Sequence, residues 1–149
     1  MGNEAFVKTA GFGDNLPGEA AALRWLAEAE PLGGLRVVRV LSVTEEELVE
    51  ERVETGAPSA SAARRIGAAL ARTHAAGAPW FGCAPAGWSG DPWCGRARTP
   101  YVMREDASDA WGSFFAEHRI MNYVRVLVDR GDFDDGEAAV LEWVAGRLF

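Results

Sequence analysis

The hydrophobic period of this chain changes once, near residues 55–61, and that change limits the folds open to it. Before it, short apolar stretches alternate with turns. "EAFVK" reads as a strand with Phe6 and Lys8 on one face, since successive strand side chains point to opposite sides. "TAGFGDNLPG" is a turn-rich connection, and its paired glycines are no more than a turn. Pro17 suits the first turn of a helix through "GEAAALRWLAEAE", which stops at Pro31 and the Gly33-Gly34 pair. "LRVVRVLSV" predicts a second strand, "TEEE" a turn and "LVEERVE" a third strand, so the last two pair as a hairpin.

After "TGAPSAS" only helical periods remain. "SAARRIGAALARTHAAG" lines up Ile66, Ala69, Leu70 and Thr73 on one stripe, capped by Ser59 or Ser61 and stopped by Gly77. An irregular stretch over 78–102 holds three tryptophans, and a loop of that length is usually functional or partner-binding. "SDAWGSFFAEHRIMNYVRVLVDRG" predicts a long helix burying Trp111, Phe114, Phe115, Met121, Val124 and Val128. "GEAAVLEWVAGRLF" predicts another, with Val140, Leu141, Val144 and Leu148 inward. The fold class expected is therefore α+β, with residues 1–56 as strand-helix-strand-strand and residues 57–149 helical. The final stripe stays apolar to Phe149, which reads as a chain that is cut.

Charge narrows the function. A net charge of −7 argues against nucleic acid as a partner, because neutralising phosphates along a strand needs a basic surface. No apolar run approaches the ~20 residues of a membrane span, and the N-terminus lacks the pattern of a secretion signal. A cytoplasmic location is expected. Cys83 and Cys94 lack metal-ligand spacing and are expected as free thiols in a reducing compartment. No metal site is expected; Asp132, Asp134 and Asp135 read as solvated acids ahead of a helix. His74 and His118 read as structural.

Within that background one residue stands apart. Lys8 is the single lysine against fourteen arginines, and it sits inside an apolar strand. A compact, rotatable ammonium suits contact with a phosphate oxygen at a crowded site, although an incidental surface lysine is the plainer reading. Glu19 shares helical spacing with Ala22, Leu23 and Leu26, on the face expected to meet the sheet. A carboxylate there needs a partner, and Lys8 is the strand cation that precedes it. A strand lysine held by a helix glutamate is the arrangement by which kinases present an ammonium to nucleotide phosphates. The preference of acids for a helix N-terminus would also account for Glu19.

The segments "FVKTA", "GEAAALRWLAEA", "ELVEERVETG", "IGAALARTHAAGAPWFG" and "DAWGSFFAEHRI" follow one another in an order that resembles the fructosamine kinase family. That family is a branch of the protein-kinase-like superfamily, near the aminoglycoside and choline phosphotransferases. The resemblance covers nearly the whole chain from Phe6 and implies a partial kinase-like fold: an N-lobe remnant over 1–56, then the first C-lobe helices. It implies ATP and Mg2+ as cofactors, with Lys8 on the phosphates, Glu19 as its helix partner, and Glu51 and Val53 offering backbone groups to adenine. Glu50 and Arg52 stand where family members usually carry apolar or aromatic residues.

The implied reaction is transfer of the γ-phosphoryl group of ATP to a sugar hydroxyl of a ketosamine. The family's catalytic aspartate lies in a His-Gly-Asp segment, and neither His74 nor His118 begins one. No catalytic residue is therefore assigned in this chain, and the magnesium-binding aspartate is likewise expected beyond Phe149. A piece of a kinase without turnover, prone to self-association, is the resulting expectation. The alternatives are a related kinase of aminoglycoside- or choline-like acceptors, and a non-catalytic binding module of the same fold.

Overall fold

Strands β1 (Ala5–Thr9), β2 (Val40–Val43) and β3 (Glu47–Glu51) form one antiparallel sheet in the order β1-β3-β2. Helix α1 (Leu16–Ala27) joins β1 to β2, and helices α2 (Ala60–Ala76), α3 (Trp111–Phe115), α4 (Asn122–Asp129) and α5 (Asp135–Ala145) follow the sheet. The class is α+β, as the change of hydrophobic period requires. The computed structural model describes residues 5–89 and 110–148, so the later part of the Trp-rich stretch, with Cys94, lies outside the described residues. Among these, residues 5–77 with 85–89 make one compact unit and residues 78–84 with 110–148 another. None of the helices described is long and apolar enough to cross a membrane.

In the first unit the register places Lys8 opposite Leu48 and Phe6 opposite Glu50, so these four side chains share one face. Across the other edge of β3, Val43 faces Leu48 and Val40 faces Glu50, with a bulge between Val40 and Ser42. Leu48 packs with Leu16 and Ala20 of α1, all three fully buried, while Leu23, Val40, Val43 and Ala10 close the edges. The inward stripe of α1 is thus Leu16, Ala20 and Leu23, at i, i+4 and i+7. Leu26, expected inward, is 44% exposed. The stripe is set by Leu16 in the first turn, where the Asn15 side chain caps the helix by accepting from the Gly18 N–H at 2.9 Å.

β2 is shorter than its composition predicts, starting at Val40 instead of Leu35. The reason lies in who takes its alternate N–H groups. Leu35 N–H donates to Thr73 Oγ1 (2.8 Å), Val37 N–H to Glu30 Oε1 (2.7 Å) and Arg39 N–H to Glu51 Oε1 (3.2 Å). Side chains satisfy the edge that a strand would otherwise offer to a ladder. Gly34 permits the first of these, because a Cβ there would lie 2.8 Å from Thr73 Oγ1 and 2.7 Å from the Ala29 carbonyl. β3 also ends early, at Glu51, and residues 52–54 leave the sheet exposed.

Ser59, not Ser61, caps α2, accepting from the Ala62 N–H at 3.1 Å. Among the described residues α2 buries none of its side chains. Of its expected stripe, Ala69 and Thr73 are partly covered, whereas Ile66 is 56% exposed and Leu70 stands out with it.

In the second unit α3 and α4 are continuous through a π-helical turn, Ala116–Met121. That turn adds a residue to the period, so the α-helical stripe slips across it. Phe114, Ala116, His118 and Val124 are buried; Trp111 and Phe115, expected inward, are exposed, and Met121 and Val128 are half-buried. Phe81 packs on Trp111 and Phe114, with ring centroids 5.3 and 6.0 Å apart. Gly82 allows this, having φ of 83° and a position where a Cβ would meet Phe114 at 2.4 Å. α5 begins with a reciprocal cap between Asp134 and Glu137. It buries Ala138 and Ala145, not Val140, Val144 and Leu148, since small side chains let the helix approach closely.

Candidate functional site

Lys8 rises from β1 beside Leu48, on the face that α1 covers, and its Nζ donates to Glu19 Oε2 at 2.5 Å. Glu19 occupies the first turn of α1, where unpaired N–H groups also favour an acid. The two side chains are 34% and 40% exposed, so the pair sits at the rim of the core and not within it. An ion pair with that much solvent contributes ~0.2–1 kcal/mol to stability. Its consequence is positional. One of the three ammonium donors is held, and the remaining two are available to another acceptor.

A third charged group belongs to this site. Glu50 follows Leu48 by two residues and therefore lies on the same face, diagonal to Lys8 across the β1–β3 pair. It is buried. Burial raises its pKa, the nearby Glu19 carboxylate raises it further, and Lys8 opposes both. One ammonium is thus set against two carboxylates, which disfavours a further anion unless Glu50 takes up a proton.

Glu51 ends β3, three residues beyond the position facing Lys8, which is roughly 10 Å along the strand. Its backbone N–H donates to the Arg39 carbonyl at 2.9 Å. Its nearly buried carboxylate accepts from Arg36 Nη2 at 2.7 Å and from the Arg39 N–H. Val53 lies in the exposed segment past β3, and its backbone groups have no hydrogen-bond partner among the described residues.

Against models of known families, the chain matches the one described as fructosamine kinase over residues 2–148. The chain belongs to the fructosamine kinase family. Family membership makes it a kinase-type, phosphotransferase-related chain. No curated protein and no solved structure matches it.

Within this family member, the structure joins Lys8 to Glu19 and sets Glu51 and Val53 at and beyond the end of the central strand. The residue that sequence reasoning missed is Glu50, treated there only as a departure from an apolar position. The signal was present, because an inward Leu48 makes an inward Glu50 by the period of two. "AGFGD" is a turn: Gly11 N–H donates to Asp14 Oδ2, and Asp14 N–H to the Gly11 carbonyl. His118 lies tilted against Phe114 with ring centroids 5.6 Å apart, and His74 is exposed at the end of α2. Cys83 is a half-buried free thiol. Asp132 pairs with Arg130 and Asp134 caps α5. No group of three His, Cys, Asp or Glu among the described residues is arranged to hold a metal ion.

Proposed function

We propose that these residues carry the nucleotide-anchoring part of an ATP-dependent kinase acting on a sugar hydroxyl of fructosamines or ketosamines in the cytoplasm. The observation that carries this reading is the Lys8–Glu19 ion pair between a strand and the helix packed on it, in a chain of this family. In this reading Glu19 fixes the ammonium, and its two remaining N–H donors meet phosphate oxygens. The Glu51 carbonyl and the Val53 N–H meet the adenine edge. The interval of roughly 10 Å between Lys8 and Glu51 along the sheet suits a ligand whose base and phosphates touch both. In this reading the lobes divide between residues 1–56 and 57–149, although α2 groups with the first compact unit.

ATP supplies the phosphoryl group, and Lys8 is the one residue here whose chemistry and partner fit it directly. No residue here is assigned to magnesium. Orientation of the acceptor hydroxyl is assigned to none of these residues either. In this reading the isolated chain binds nucleotide without turnover.

Isothermal titration of the chain with ATP tests this. Saturable binding that weakens about 10- to 100-fold in Lys8→Ala is the expected result, the loss of a charged hydrogen bond being worth ~1.5–3 kcal/mol. Absence of ATP binding, or equal binding by Lys8→Ala, overturns the reading.

A further inference from the structure

Away from the Lys8–Glu19 pair, the first unit holds a cavity of about 540 Å³. Its walls are one side of α1 (Leu23, Arg24, Ala27), the turn at Glu30 and Pro31, the extended segment 36–40, and Glu51. A volume of this size lies in the range of small-molecule sites. Leu23, Ala27, Val38 and Val40 give it an apolar floor.

The charges decide what it can take. Three arginines stand in the wall against two carboxylates, and both acids have hydrogen-bond partners, although Glu30 keeps its charge. Glu30 accepts the Val37 N–H, and Glu51 accepts from Arg36 and the Arg39 N–H. Arg36 is correspondingly engaged. The guanidinium groups of Arg24 and Arg39 have no hydrogen-bond or ion-pair partner among the described residues. In a chain of net charge −7, the cavity wall thus carries a net positive charge, with Arg24 and Arg39 uncommitted beside apolar lining residues. A planar guanidinium binds carboxylate or phosphate through paired N–H donors, which a surface lysine does not reproduce.

We propose that this cavity is a binding site for a small organic anion, with its carboxylate or phosphate held by Arg24 and Arg39 and its apolar body against Leu23 and Val38. Glu51 borders both this cavity and the end of the strand given to adenine in the nucleotide reading, but the anion site uses Arg24 and Arg39 and does not depend on Lys8.

Phenyl phosphate is the probe, with benzyl alcohol as the uncharged control, followed by backbone amide NMR shifts of the full 149-residue chain. Saturable shifts at residues 23–27 and 36–40 are expected in the millimolar range, retained in Lys8→Ala and absent with benzyl alcohol. The Arg24→Gln/Arg39→Gln double variant is expected to weaken binding about tenfold or more. Both arginines are exposed, and an unchanged amide spectrum of the free variant shows that it folds. Arg39→Lys, which keeps the charge but loses the fork, is expected to bind at intermediate strength. Inorganic phosphate separates the two halves of the site: it is expected to bind more weakly than phenyl phosphate. No saturable shift at these residues, binding unchanged in the double variant, or equal binding of benzyl alcohol overturns the proposal. Loss of phenyl phosphate binding in Lys8→Ala reassigns the probe to the Lys8 site and overturns it as well.

Discussion

Glu19→Gln separates a positional role for the ion pair from a stabilising one. The substitution keeps an amide oxygen that can accept from Lys8 but removes the charge. On the stability side two effects oppose. The pair with Lys8 is more than a third exposed on both partners, so its loss costs ~0.2–1 kcal/mol. Removal of the Glu19 charge also relieves its repulsion of Glu50, which returns part of that cost. The net change expected in the free energy of unfolding is within about 0.5 kcal/mol of zero, a shift in Tm of about 2 °C or less for a chain of this size. On the binding side, a neutral acceptor holds the ammonium less firmly. ATP affinity is expected to fall several-fold, to roughly tenfold, while Lys8→Ala loses more. Urea unfolding and isothermal titration on the two single variants and the double variant form a cycle for each property. The reasoning predicts coupling in the binding cycle larger than in the stability cycle. A Glu19→Gln protein destabilised by more than about 2 kcal/mol, with unaltered ATP affinity, refutes it and makes the pair a structural strut.

Two further outcomes follow from groups around the same sheet. Because burial and Glu19 raise the Glu50 pKa, the folded chain binds that proton more tightly than the unfolded chain does. Its contribution to stability is full below the ordinary glutamate value of 4.5 and is lost as pH rises through the raised one. Glu50→Gln is therefore expected to be more stable than the parent at pH 7, with the difference closing below pH 4.5, as followed by urea unfolding across pH. Equal stability at both ends of the range counts against this account. Thr73→Val leaves the Leu35 N–H without its acceptor and is expected to cost ~1–3 kcal/mol, a thermal shift that circular dichroism resolves. Thr73→Ser, which keeps the oxygen, should retain most of the stability.

The strand-helix-strand-strand order, the α+β class and the α1 connection were legible because each rests on local pattern: period-two strands, Pro17 in a first turn, and turn residues over 44–47. The Lys8–Glu19 pair was legible for a related reason. A lone lysine on a strand and an acid in the first turn of the next helix are both local features, and the hairpin leaves little choice of partner. Part of what the local pattern missed was decided by residues distant in sequence. The start of β2 depends on Thr73, thirty-eight positions from Leu35, taking an N–H that a strand would have used. The buried side of α5 depends on alanines that allow close approach, where hydrophobicity alone favours Val140 and Val144. Trp111 and Phe115 stand exposed on α3, just ahead of a π-helical turn that no α-helical period anticipates.

Sequence by itself thus determined which elements form and the family to which the chain belongs, since propensity, turn chemistry and motif order are properties of neighbouring residues. Tertiary structure decided the register that sets Glu50 diagonal to Lys8 and the packing that leaves Arg24 and Arg39 uncommitted in the wall of a cavity. Both depend on which side chains a neighbouring element has already satisfied, and that is fixed only when the elements meet.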